Sequence, residues 1–203
     1  MRLLLVRHGE TGEQYSGRYL GATDLPLSPR GRQEAGRLAS LLPEGLSRCL
    51  VSPLCRARET AEIALAGRGP RLEVMDALRE IDFGRWEGLT FAEILVRDQA
   101  LVNDWQRDAL AFQFPGGEHT LRFWQRVQEA TRAIVALPEE RSVPSPPLDG
   151  EILVITHGGV IRAMLCGLLG LPFDRYLSFA VKPAALTVVE VHGQQGVLQG
   201  LNL

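Results

Sequence analysis

Two histidines in this chain share one local setting. His8 follows the apolar run Leu3 to Val6 in Arg7-His8-Gly9-Glu10-Thr11, and His157 follows Glu151 to Ile155 in Thr156-His157-Gly158-Gly159. A third short run, Arg48 to Val51, stops at Ser52-Pro53, with Arg56 just beyond. Imidazoles act near neutral pH as bases, acids or ligands, and guanidinium forks suit phosphate and carboxylate. Arg7 directly follows four apolar residues, where a partly buried cation needs an anionic partner. Arg56 falls in the first turn of a helix, where a cation opposes the helix dipole unless an anion also occupies that N-terminus. Arg58 is its rival. Arginine is a poor metal ligand, and neither H-E-x-x-H nor a Cys/His ligand spacing occurs. Phosphate-binding P-loop and dinucleotide fingerprints are missing too. The residue types therefore point to a phosphate pocket with no metal and no cofactor.

These residues meet only if the elements that carry them are neighbours. Short, fully apolar runs with polar, glycine-containing stops read as parallel strands buried on both faces. Ser28-Pro29 predicts an N-cap and first turn for a helix running to about Leu42, closed by Pro43. Further helices are expected over about 54–65, 90–109, 118–137 and from Gly158 to about Leu169. Leu72 to Met75 reads as a strand, and Ser142 to Gly150, with three prolines, as a surface connection. The tail from Tyr176 to Leu203 reads as strands, with Gly193 to Gly196 as a hairpin turn. Alternating strands and helices predict an α/β fold: a three-layer α/β/α sandwich with a mostly parallel central sheet and an antiparallel edge. Residues 1–203 read as one domain, with 76–137 a small helical, cap-like excursion. In such sheets ligands bind beyond the carboxyl ends of the strands, where all three polar stops lie.

Composition narrows the function classes. The 203 residues are 45% hydrophobic, with a formal net charge of -2, which argues against a nucleic-acid partner while allowing a locally basic cleft. Lys182 is the only lysine among 22 basic residues. Three cysteines with no paired spacing fit a reducing cytoplasm. The apolar runs are too short for a membrane span, and the N-terminus lacks a signal-peptide shape. A homodimer through an exposed sheet edge is compatible with this pattern.

The combination resembles the histidine phosphatase superfamily, which includes the cofactor-dependent phosphoglycerate mutases. Beyond the two histidine motifs, Gly17 to Gly21 and Asp24 to Ser28 look like that family's substrate loop. Ser52-Pro53-Leu54-Cys55-Arg56-Ala57 resembles its arginine motif and favours Arg56 over Arg58. Leu78 to Gly88 is similar to the segment carrying the family's acid, and Phe114-Pro115-Gly116-Gly117-Glu118 to a signature in the cap. Three positions depart from the pattern. Gln14 stands where many members have asparagine, Leu20 replaces a hydroxyl residue of the mutases, and His119 replaces a small hydroxyl residue and reads as a helix N-cap.

The resemblance implies a phosphohistidine on His8, formed from a neutral ring whose pKa Arg7 and Arg56 depress. Arg7, Arg56 and His157 would hold the phosphoryl oxygens, and Thr11, Gln14, Leu20, Gly21 and Gly158 would contact substrate. Glu80 is expected to act as acid and then base, desolvated by Phe83 and Trp86. Glu10, Asp82 and Glu87 compete with it on sequence alone, and Glu10 is expected to pair with an arginine. The implied function is a phosphomonoesterase for a small phosphorylated metabolite. Short chain length and the segment from Thr156 to Arg162 resemble α-ribazole-5'-phosphate phosphatases, while a broad sugar and nucleotide phosphate range is the parallel reading. The alternatives are a phosphoglycerate mutase and, below it, a phosphate-binding module without turnover.

Overall fold

The computed structural model describes residues 1–136 and 150–203. Six strands form one sheet: β1 (Arg2–Arg7), β2 (Arg48–Val51), β3 (Leu72–Val74), β4 (Glu151–Thr156), β5 (Leu186–His192) and β6 (Gln195–Gly200). Their order is β3-β2-β4-β1-β5-β6. The first three pairings are parallel, whereas β5 lies antiparallel to β1 and to β6. The expected mostly parallel α/β sheet with an antiparallel edge is therefore present.

The strands are apolar throughout because successive side chains enter two different cores. Leu3, Leu5, Leu50, Ile152 and Val154 face one core with helices α4 (Thr120–Val135) and α5 (Gly158–Leu168). Leu4, Val6, Val51, Leu153 and Ile155 face the other, under α1 (Pro29–Leu38) and α2 (Cys55–Leu65). Ser28 caps α1, its hydroxyl accepting from Gly31 N–H, with Pro29 at the first helical position. The helix ends four residues before the expected Leu42: tightened bonds from Ala39 N–H to Gly36 O and from Ser40 N–H to Arg37 O unwind it.

Segment 76–90 carries two 3-10 turns and leads into α3 (Phe91–Arg107), whose first turn Thr90 and Glu93 close with reciprocal side-chain bonds. The Phe114 to Glu118 turn returns the chain to α4, and His119 caps α4 through Nδ1, which accepts from Leu121 N–H. Two parts of the sequence reading change. Residues Phe173–Ser178 form a 3-10 helix, and strand begins only at Leu186: Phe173 and Tyr176 stack on one another within that helix and Tyr176 packs edge-on against Phe123 of α4. The proline-rich connection expected at 142–150 lies outside the described residues except for Gly150.

Candidate active site

The adjacency of β2, β4 and β1 brings their three polar stops together. His8 N–H donates to Thr156 O (2.9 Å) and Ser52 N–H to Ile155 O (3.1 Å), so the ladder extends to the first residue of each stop. A cavity of about 650 Å³ opens there, lined by Arg7, His8, Thr11, Leu20, Glu80 and Gly158 among others.

His8 is 9% exposed. Its Nδ1 lies 2.7 Å from Gly9 O, which accepts only if that nitrogen carries the proton. The lone pair then sits on Nε2, where Arg56 Nε–H donates at 3.2 Å. The pKa of His8 falls well below the usual imidazole value. Burial is the largest cause, followed by repulsion from Arg56 and then Arg7. The sequence reading credited the arginines alone; desolvation outweighs them because the ring is sealed between two strands and α2.

Arg56 is almost wholly buried, whereas Arg58 is exposed. Its other nitrogens donate to Thr23 O and Gly21 O, both at 2.8 Å. Gly21 is packed so closely that a Cβ would come within 1.7 Å of Ile81 O. Arg7 donates through one terminal nitrogen to Val181 O (2.8 Å), while its buried Nε has no partner. The ring of His157 lies 5.1 Å from that of His8. Ser52 Oγ is 2.7 Å from His157 Nε2 and accepts from Leu54 N–H, which turns its own proton toward the ring. The remaining buried nitrogen, Nδ1, is also unpartnered. Two buried donors beside a neutral imidazole are costly without an anion to receive them, at about 1–3 kcal/mol each.

Glu80 reaches the site from the segment before the cap. Its carboxylate accepts from Gly159 N–H (2.8 Å) and Ile81 N–H (3.1 Å). Gly159 is required there, because a Cβ would lie 2.2 Å from Glu80 Oε1. Phe83 and Trp86 do not cover this carboxylate as expected. Trp86 is fully buried and bonds Asp98 through its indole N–H, and Phe83 packs edge-on against Tyr19 and Phe114. The group beside Glu80 is instead the Tyr176 hydroxyl, 2.7 Å from the same hypothetical Gly159 Cβ.

The competing carboxylates have other partners. Glu10 also lines the cavity, but it accepts from the Ser28 hydroxyl and not from the expected arginine. Asp82 accepts from Gly84 N–H. Glu87 collects the N–H groups of Gly21, Ala22, Thr23 and Phe83 and the Thr23 hydroxyl. Gln14 is exposed, folds over Gly12 and is not among the residues lining the cavity.

The sequence model of the Histidine phosphatase superfamily (branch 1) matches residues 3–203. The chain belongs to this superfamily. It is 33% identical to the adenosylcobalamin/alpha-ribazole phosphatase of Escherichia coli K12, over all of this chain and 96% of that one. It is also 33% identical to phosphoserine phosphatase 1 of Hydrogenobacter thermophilus, over all of this chain and 92% of that one. Among solved structures, the alpha-ribazole phosphatase from Shigella flexneri superposes with a TM-score of 0.86 at 28% identity, covering 100% of this chain and 96% of that one.

Two residues of this histidine phosphatase escape motif reading. Arg126, midway along α4, forms a two-pronged ion pair with Glu118 and donates to the carbonyls of Ala77, Arg79 and Glu80. It thereby fixes the backbone that presents Glu80. Glu87 holds the 21–23 loop whose carbonyls clamp Arg56. The signal for Glu87 was its place within the acid-bearing segment; an arginine on an amphipathic helix carries none.

The buried imidazoles have a measurable consequence. His157, like His8, has its pKa pushed well down, first by burial and then by Arg56. Above the ordinary value of about 6.5 both are neutral in the folded and unfolded states and contribute no pH dependence. Below it the unfolded chain binds protons that the folded chain refuses. Stability is therefore expected to fall with decreasing pH, by up to about 1.4 kcal/mol per unit for each ring. Urea midpoints between pH 7 and pH 5 test this: His157→Asn should flatten the slope, and an identical slope in that variant would contradict the assignment.

Proposed function

We propose that this histidine phosphatase hydrolyses small phosphate monoesters by passing the phosphoryl group through His8 Nε2. The observation that carries this reading is the pair of buried donors, Arg7 Nε and His157 Nδ1, flanking a neutral imidazole whose lone pair faces Arg56. A phosphoryl group would satisfy all three. Arg56 Nε–H turns from Nε2 to a phosphoryl oxygen as substrate enters, freeing the lone pair. Nε2 attacks phosphorus in line, the bond from phosphorus to the alcohol oxygen breaks, and Glu80 gives that oxygen a proton. Arg7, Arg56 and His157 bear the charge on the equatorial oxygens. Water then attacks the phosphohistidine, Glu80 takes its proton, and inorganic phosphate leaves.

Thr11, Leu20 and Gly158 line the cavity, and Gly21 acts through its carbonyl on Arg56. Leu20 offers no hydroxyl to a carboxylate-bearing substrate, which supports hydrolysis over mutase chemistry. The likeness to alpha-ribazole phosphatases supports α-ribazole 5'-phosphate as a substrate, within a range of sugar and nucleotide phosphates. Three free thiols support a cytoplasmic setting. Among the described residues, no helix is long and apolar enough to cross a membrane.

Metal-free turnover of α-ribazole 5'-phosphate, 3-phosphoglycerate and p-nitrophenyl phosphate tests the proposal. Phosphate release from the first and third is expected. Phosphoryl return to phosphoglycerate faster than its hydrolysis would overturn the phosphatase reading in favour of the mutase.

A further inference from the structure

Arg7 enters the site on a single side-chain anchor. One terminal nitrogen donates to Val181 O at 2.8 Å, and its Nε has no partner. With its backbone fixed at the end of β1, the direction of that free Nε–H depends on where the Val181 carbonyl stands. Val181 and Lys182 share this peptide group, and its other end is held from residue 202. Lys182 N–H donates to Asn202 Oδ1 at 2.8 Å. The same side chain donates through Nδ2 to Ala180 O at 2.6 Å. One carboxamide therefore spans both peptide groups that flank Val181, its acceptor on an N–H and its donor on a C=O. Turning the amide over would lose both bonds, so the network fixes its orientation.

The bonds run in series. Asn202 Oδ1 accepts from Lys182 N–H, and at the far end of that peptide Val181 O accepts from Arg7. Each bond polarises the next, and chains of this kind strengthen by about 10–30% per bond.

The fold brings Asn202 to this place. It adopts φ 59°, in the left-handed region that asparagine tolerates. Beside it, Leu203 and Leu186 exchange backbone bonds of 3.0 and 3.3 Å, which return the chain after β6 to the start of β5. There Leu186 pairs with Val6, one residue before Arg7. Ala184 N–H reaches the carbonyls of Arg7 and His8 at 3.0 and 3.2 Å, so residues 180–184 grip the Arg7 backbone as well as its side chain. Asn202 itself is not among the residues lining the catalytic cavity. Its route to the substrate runs through Arg7.

We propose that Asn202 is a positioning residue for Arg7, acting through the 181–182 peptide group to aim the free Nε–H at the phosphoryl oxygens. The inference rests on the phosphatase reading, in which Arg7 bears charge on those oxygens.

Asn202→Gly removes the amide and keeps a residue at ease with positive φ. Its effect on p-nitrophenyl phosphate hydrolysis is measured in the wild-type and Arg7→Ala backgrounds, with rates scaled to the folded fraction from urea unfolding. In the wild-type background kcat/KM should fall by about tenfold, within the coupling found between interacting residues. The Ki of inorganic phosphate, which meets the same donors without a leaving alcohol, should rise alongside. In Arg7→Ala the same substitution should cost less than about twofold, because the guanidinium it acts through is gone. An equal loss in both backgrounds would make Asn202 a support for the fold or for the Lys182 side chain. No loss in the wild-type background would leave the packing of buried Val181 as the sole anchor of its carbonyl. Either result overturns the proposal and leaves the phosphatase reading intact, whereas absence of phosphate release by the wild type would remove both.

Discussion

His8→Ala is expected to lose turnover by roughly 10⁴-fold or more, the scale seen when a covalent nucleophile is removed, and to yield no acid-labile phosphoprotein on quenching. The expectation follows from the ring's placement. Its Nδ1 proton is committed to Gly9 O, its Nε2 lone pair faces Arg56 Nε–H, and burial keeps it neutral. No other imidazole combines these features: His157 Nε2 is held by Ser52, and His119 and His192 lie outside the cavity lining. The discriminating partner experiment is His157→Asn, in which labelling should persist while forming more slowly, because a donor rather than the nucleophile is lost. Persistent label in His8→Ala would place the nucleophile elsewhere and remove the basis of the proposed mechanism.

Arg56→Lys should lower kcat/KM by about 10²- to 10³-fold, comparable to losing one preorganised donor in a dry site, although the charge is kept. Each guanidinium nitrogen has its own partner: His8 Nε2, Thr23 O and Gly21 O. A flexible ammonium cannot span three directions at once. The buried Gly21 carbonyl would be left unpaired, at a stability cost of about 1–3 kcal/mol. Steady-state kinetics beside urea unfolding separates the two effects. Near-wild-type kcat/KM in Arg56→Lys would mean that charge alone matters and that the clamp from the 21–23 loop is structural.

Much of this site could be read from local pattern. An apolar run ending in a polar, glycine-containing stop is a short-range signal, and three such stops on parallel strands must point to one edge. That is why His8, His157 and Arg7 group by local pattern, whereas Arg56 is separated from its rival Arg58 by the family resemblance. The cap boundaries and the 3-10 helix at 173–178 were less legible. Aromatic packing, not propensity, decides where those segments run: Tyr176 stacks on Phe173 within its own turn and meets Phe123 of α4, more than fifty residues away in sequence.

By itself the sequence determined the strand order of chemistry: which imidazoles and guanidiniums stand at strand ends, and that they suit a phosphoryl group. Only the tertiary structure shows what each carboxylate touches. Glu10 accepts from the Ser28 hydroxyl, Asp82 from Gly84 N–H and Glu87 from the 21–23 loop, whereas Glu80 accepts from the N-terminus of α5, across 79 residues of chain. No periodicity encodes such a contact. Likewise the weight of burial over arginine repulsion at His8 and the clamp of Arg126 on the Glu80 backbone arise from packing between segments far apart in sequence.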